Sequence, residues 1–162
     1  MTTLLISSAR IPGGRLTFAA DDAGVVHAGT FRGSGDLRLP IDTRLRRGPS
    51  PAVSAALEAY ADGDLAALDA VAVSQPGSPF QQACWAAMRT IPAGLVCTYG
   101  ELAARAGHPR AFRAAGSACA RNAVAPFVPC HRIVAAQGGL GGYGYGVAVK
   151  EALLAHESGS VR

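Results

Sequence analysis

Thr98-Tyr-Gly-Glu-Leu-Ala-Ala-Arg-Ala-Gly-His-Pro-Arg-Ala-Phe-Arg-Ala-Ala-Gly-Ser-Ala-Cys-Ala-Arg-Asn122 decides the architecture of the C-terminal half. Tyr99–Ala106 reads as one helix, Gly107-His-Pro109 as a break, and Arg110–Arg121 as a second helix. That is a helix-turn-helix pattern. The second helix has an unusual composition. After Arg110 its only long polar side chains are Arg113 and Arg121, and most other positions are Ala, Gly, Ser or Cys. Direct base readout in the major groove calls for Arg, Asn or Gln in numbers. Small residues instead let a backbone approach phosphates and a groove floor, which predicts binding with little sequence preference. The bland alternative is an alanine-rich helix packed against its neighbours.

Immediately downstream, Asn122-Ala-Val-Ala-Pro-Phe-Val-Pro-Cys-His-Arg132 sets Cys130 between a proline and two potentially cationic side chains. A free thiol has a pKa of about 8.5, and neighbouring cations lower it. Pro129 fixes its own φ and restricts Val128, so the sulfur is presented from a stiffened backbone. The arrangement suits a nucleophile, although buried inert cysteines are common.

Upstream of the helix-turn-helix, Ser78-Pro79 with Gln81 forms a capping box that opens a helix expected to bury Phe80, Cys84 and Met88, with Trp85 alongside. Ser74-Gln-Pro-Gly-Ser-Pro79 reads as a linker. Before it, residues 2–31 read as β structure: Leu16-Thr-Phe-Ala alternates, Asp21-Asp-Ala-Gly24 turns, and Val25–Phe31 follows as a strand. Gly33–Pro49 reads as polar and irregular, and Ser50-Pro51 opens a helix with Val53, Leu57 and Tyr60 on one face. Asp62-Gly-Asp64 ends that helix, and residues 70–73 read as a last short strand.

Hydrophobic residues make up 49% of the 162 and charged residues 16%, which excludes a disordered chain. The net charge of +4 is uneven. Residues 1–78 carry seven arginines against eight carboxylates, a net of −1; residues 79–162 carry seven arginines and Lys150 against Glu101, Glu151 and Glu157, a net of +5. A basic half is the footprint of a polyanion binder, with an arginine-rich composition bias as the alternative. No basic leader and no apolar run of membrane-spanning length is found, so reduced cysteines in the cytoplasm are expected. The four cysteines include no Cys-x-x-Cys pair, and no metal site is expected.

Phe80-Gln-Gln-Ala-Cys-Trp85, Thr98-Tyr-Gly-Glu-Leu-Ala-Ala104, Arg113-Ala-Ala-Gly116, Asn122, Val128-Pro-Cys-His-Arg-Ile-Val134, Gly141-Gly-Tyr-Gly144 and Lys150–Glu157 together resemble the 6-O-alkylguanine-DNA alkyltransferases, also called methylated-DNA–protein-cysteine methyltransferases. The resemblance runs in one register over about residues 79–157, and the N-terminal half matches weakly. It implies an α+β fold. Residues 1–73 would form an N-terminal α/β, ribonuclease-H-like lobe with a small antiparallel sheet. Residues 79–162 would form a helical, winged-helix-like domain that binds DNA in the minor groove and carries the alkyltransferase chemistry.

By the same resemblance Cys130 accepts the alkyl group irreversibly, His131 is the base acting through a water, and Glu157 holds the imidazole tautomer. Tyr99 pushes the 3′ phosphate and protonates the departing guanine, and Asn122 braces the turn after the recognition helix. Arg113 fills the space left by the extruded nucleotide, with Arg110, Ala114 and Arg121 also at the DNA. Tyr143, Gly144, Val128, Pro129 and Ile133 line the base pocket, the carbonyls of Cys130 and Ile133 accepting from the guanine amine, and Lys150 anchors the loop. The implied partner is double-stranded DNA containing 6-O-alkylguanine, met by a monomer with no cofactor, no membrane and no obligate protein partner. Three departures stand out: Cys119 where bulkier side chains are common, Gly144 where some relatives carry a side chain, and the loose hairpin Ser8–Gly14.

Two other classes compete. A non-catalytic binder of alkylated DNA would lack the acceptor cysteine, and Cys130 is present. A helix-turn-helix regulator would need a further domain. A cysteine hydrolase is disfavoured because the histidine adjoins the cysteine and no oxyanion-hole pattern accompanies them.

Overall fold

The computed structural model describes residues 2–159. The chain begins with β1 (Thr2–Ile11) and β2 (Gly14–Ala20), an antiparallel hairpin, and β3 (Val26–Thr30) pairs antiparallel with β2. Asp21 shapes the β2–β3 turn by accepting from the backbone N–H groups of Ala23 and Val25. The whole run Leu16–Ala20 is buried, so both faces of β2 are covered. That burial explains why its alternation is weaker than in a half-exposed strand.

Within the segment expected to be irregular, Thr43–Arg47 forms β4, which pairs in parallel with β1 at the edge of a sheet ordered β3-β2-β1-β4. Its sequence, Thr-Arg-Leu-Arg-Arg, hides the strand because an exposed edge carries charge where a central strand carries apolar residues. Helix α1 (Pro51–Ala61) follows and buries Val53, Leu57 and Tyr60 as expected. It ends where Gly63 takes φ 112°, a left-handed conformation open to glycine. Residues 70–73 contribute a single bridge, Val73 to Val26, and not a strand; Ala67–Ala70 before them is a 3-10 turn.

Helix α2 (Pro79–Met88) starts at the expected capping box: the Ser78 hydroxyl accepts from Gln81 N–H at 3.2 Å and the Gln81 side chain accepts from Ser78 N–H at 2.9 Å. Cys84, Trp85, Ala87 and Met88 are buried, whereas Phe80 is only half-buried and meets the His108 ring edge-on. A second capping box, Thr98 with Glu101, opens α3 (Tyr99–Arg105). Helix α4 (Phe112–Arg121) begins two residues later than expected, because Ala111 N–H donates to His108 O and closes a turn first. The Trp85 indole donates to Ala118 O at 2.9 Å and pins α2 to α4. Strands β5 (Cys97–Thr98) and β6 (Ile133–Val134) pair in parallel, and α5 (Val147–Glu157) closes the described chain.

Two units result. One holds the residues up to Gln75 together with Ala123–Phe127; the other holds Pro76–Asn122 and the chain from Val128 onward. In the first, Phe18 and Phe127 meet edge-on with ring centres 6.3 Å apart, and Gly29 N–H donates to Ala123 O. In the second, Cys84, Met88, Ile91, Leu102, Ala115, Ala118, Ile133 and Leu153 form the core. No helix among the described residues is long and apolar enough to cross a membrane.

Candidate active site

The second unit gathers the reactive residues of the C-terminal half. Cys130, His131 and Arg132 form one 3-10 turn between Pro129, with φ −84° and ψ 66°, and β6. Asn122, the residue after α4, donates its side-chain amide to Val128 O at 2.8 Å. It therefore ties the end of α4 to the approach to Cys130. Because β6 pairs with β5, and β5 runs straight into α3, the same mini-sheet brings Tyr99 to the Cys130 side of the unit.

Behind the cysteine lies a buried ionic cluster. His131 Nε2 and Glu157 Oε2 are 2.7 Å apart, each side chain 1% exposed. Arg132 grips the same carboxylate with both forks, Nε to Oε1 at 2.8 Å and Nη2 to Oε2 at 3.1 Å. Its third contact is Nη1 to Ile91 O at 2.7 Å. Burial alone would push the Glu157 carboxyl up, but the bonds from His131 and Arg132 prevail and bring it down to about 2. Glu157 is therefore an anion and only an acceptor, so the proton of neutral His131 sits on Nε2. Burial is also the main reason His131 titrates below its ordinary value, against the pull of Glu157. Its other nitrogen, Nδ1, is buried and has no hydrogen-bond partner among the described residues. The arrangement leaves a neutral imidazole with its basic nitrogen turned away from the carboxylate.

Arg132 thus supports the relay and does not flank the sulfur as a free cation, which corrects the expectation that Arg132 and His131 would supply the positive charge. Lys150 is a cation that interacts electrostatically with Cys130. It is fully buried on α5, and burial holds its ammonium below the usual lysine range. Its Nζ donates to Ile133 O at 2.6 Å, Leu140 O at 2.5 Å and Gly142 O at 3.3 Å. Those bonds fasten the glycine-rich segment 138–146 to the strand after the cysteine. The Cys130 carbonyl already accepts from Ile133 N–H, and the Ile133 carbonyl from Lys150, so each could offer a guanine amine only its second lone pair.

Tyr99, the first residue of α3, is half-buried, and burial chiefly raises its phenol above the ordinary value. The phenol stays protonated at neutral pH and has a proton to give. Gly141, at φ 75°, passes so close that a Cβ there would lie 3.0 Å from the Tyr99 hydroxyl. The contact explains a glycine at that position better than flexibility does. Tyr143 and Tyr145 pack edge-on, with ring centres 5.4 Å apart, and Gly144 has open space around it. Val128, Pro129 and Ile133 are buried. Arg110, Arg113, Ala114 and Arg121 are exposed on the turn before α4 and along it. The described residues contain no cluster of His, Cys, Asp or Glu placed to hold a metal ion.

Glu101 and Gly94 had no role in the sequence reading. Glu101 caps α3, and Gly94, at φ 94°, lets its loop come within 3.1 Å of Glu157 O, measured from a Cβ position.

A cysteine followed directly by a buried histidine–carboxylate relay, beside a helix-turn-helix with exposed arginines, defines a thiol-dependent group-transfer protein that works on nucleic acid. Residues 79–159 match the model of the 6-O-methylguanine DNA methyltransferase DNA-binding domain. The methylated-DNA–protein-cysteine methyltransferase of Methanosarcina mazei is 37% identical over 147 residues, 91% of this chain and 92% of the relative. That of Salmonella typhimurium is 47% identical over 98 residues, 60% of this chain and 57% of the relative. Among solved structures, Mycobacterium tuberculosis OGT in complex with DNA superposes with a TM-score of 0.80 at 32% identity, covering 98% of this chain and 94% of that one. The chain belongs to the methylated-DNA–protein-cysteine methyltransferase family.

Proposed function

We propose that this chain repairs duplex DNA containing 6-O-alkylguanine by moving the alkyl group to Cys130, once per molecule. The observation that carries the reading is the buried Glu157–His131 pair directly behind the cysteine. His131 Nδ1 takes the thiol proton through a water. The thiolate then attacks the alkyl carbon; the carbon–sulfur bond forms as the carbon–oxygen bond to guanine breaks. Tyr99 gives its proton to the departing base. The cysteine thiolate is a poor leaving group from an alkyl carbon, so the thioether persists and the acceptor is not regenerated.

The target atom lies inside a stacked duplex, and extruding the nucleotide costs a few kcal/mol. Arg113, exposed near the start of α4, enters the vacated space, while Arg110, Ala114 and Arg121 border the backbone in the minor groove. Residues 138–146, held by Lys150, wall the pocket with Tyr143 against the base. The protein acts as a monomer in the cytoplasm. Residues 1–73 form an N-terminal α/β, ribonuclease-H-like lobe, and residues 79–162 form the DNA-binding and alkyltransferase domain.

Intact-protein mass spectrometry with peptide mapping, after incubation with a duplex carrying 6-O-methylguanine, tests this directly. One added methyl, on Cys130, is expected, and Cys130→Ala or Cys130→Ser should abolish transfer while DNA binding persists. Multiple turnovers, or label on another cysteine, would overturn the mechanism.

A further inference from the structure

On the small-residue helix α4, Phe112 does not fit the pattern: it is 53% exposed, the largest side chain on the helix apart from its arginines. Single exposed apolar residues are ordinary on protein surfaces. Three observations set this one apart. Its ring lies under the Arg113 guanidinium, 5.9 Å from carbon to centroid. Positions 112, 116 and 119 share one stripe of the helix, by the three- and four-residue repeat. A Cβ at Gly116 would stand 3.9 Å from the Tyr99 ring, so that stripe runs from Phe112 toward Tyr99. Every other exposed position of α4 that is not arginine is Ala or Ser.

We infer that Phe112 is a second extrusion residue, an apolar wedge that holds Arg113 ready and packs against the bases bordering the emptied site. The inference rests on the repair reading above and deepens it at one position. A free arginine on a helix start samples many rotamers, and a cation resting on an aromatic face samples fewer. Apolar side chains that enter the minor groove unstack base steps, and an aromatic ring recovers part of that cost by stacking. Arg113 supplies charge toward phosphates and the orphaned base; Phe112 supplies the surface that water would otherwise fill. Its ring is positioned for the duplex and does not touch the chemistry at Cys130.

Single-turnover rates on duplex 6-O-methylguanine and on free 6-O-benzylguanine separate these roles. Phe112→Ala should slow duplex repair about five- to hundredfold, the range of one lost stacking contact, and leave the free-base rate unchanged. Phe112→Tyr, which keeps the ring, should restore most of the duplex rate. In a Cys130→Ser background, 2-aminopurine beside the lesion should brighten on binding, and Phe112→Ala should reduce that rise. An unchanged duplex rate, equal losses on both substrates, or failure of tyrosine to rescue would each overturn the inference. Those results leave the repair reading standing as long as the parent protein still methylates Cys130; if it does not, the repair reading itself is what fails.

Discussion

Three hydrogen bonds from two side chains converge on the Glu157 carboxylate, and only one of the donors belongs to the proposed proton relay. The other two come from Arg132, whose charge is buried with it. Glu157 therefore has two jobs, setting the histidine tautomer and neutralising an arginine. Its carboxyl falls from 4.5 to about 2 on folding, which makes it a stabilising group on the order of 3 kcal/mol. The sign follows from the depressed folded value: the contribution is complete above 4.5 and disappears as pH falls toward about 2. Glu157→Gln should lower stability at pH 7 by about 3 kcal/mol, since it leaves Arg132 buried without its counter-charge. The gap between variant and parent in urea midpoints should close between pH 4.5 and about 2. Transfer to Cys130 should slow at least about tenfold at pH 7, because a neutral amide no longer dictates which nitrogen is basic. A constant stability gap across that pH window would show that the carboxylate charge is not what matters.

At the level of elements, the helices were legible wherever caps and periodicity agreed. Ser78 with Gln81 announces α2, and the Val53–Leu57–Tyr60 stripe announces α1. Strand β4 was hidden because pairing in parallel with β1 at an exposed edge leaves an arginine-rich sequence with no apolar alternation. The start of α4 moved because a turn hydrogen bond at His108 uses residues whose composition also suits a helix. In the site, the family resemblance paired His131 with Glu157, and their side chains lie 2.7 Å apart. The deployment of Arg132 onto Glu157 was not legible, since a guanidinium beside a thiol in sequence carries no sign of which way it turns. Lys150 is similar: a lysine on a closing helix reads equally well as solvated, and only tertiary burial turns it into a three-carbonyl clamp. Two elements make a matched test of structural against positional roles. Ser78→Ala removes the N-cap of α2 and should cost about 1 kcal/mol with transfer unchanged. Asn122→Ala removes one of two donors to the Val128 carbonyl, the Cys130 N–H being the other; it should cost about 0.5–1.5 kcal/mol and also slow transfer, because the peptide it holds leads to Cys130. Thermal melts and single-turnover rates on both variants check the contrast, and equal effects on rate would remove the bracing role of Asn122.

At the scale of the whole molecule, the charge divides as −1 and +5 between the halves of the chain, yet the structural units do not divide at the same single point. Ala123–Phe127 leaves the basic half and clusters with the residues before Gln75, then the chain returns at Val128 to build the cysteine turn. Val124, Ala125 and Phe127 are at most 2% exposed there, and Ala123 N–H donates to the Gln75 side chain. The linker-like composition of residues 74–79 therefore marks a boundary in sequence but not a place where the molecule can be cut. A chain reduced to residues 76–162 would expose three apolar side chains that sit only a few residues from both Asn122 and Cys130. Losing the cover of Phe127 alone removes about 1.5–3 kcal/mol of burial. The strain falls on Ala123–Phe127, within the stretch that joins α4 to Cys130. Such a chain should aggregate or melt well below the parent, and its transfer to free 6-O-benzylguanine should fall along with transfer to duplex DNA. Light scattering, thermal melts and the two rates decide it. A truncated chain with parental melting and full free-base activity would mean that the segment holds its shape without the first unit.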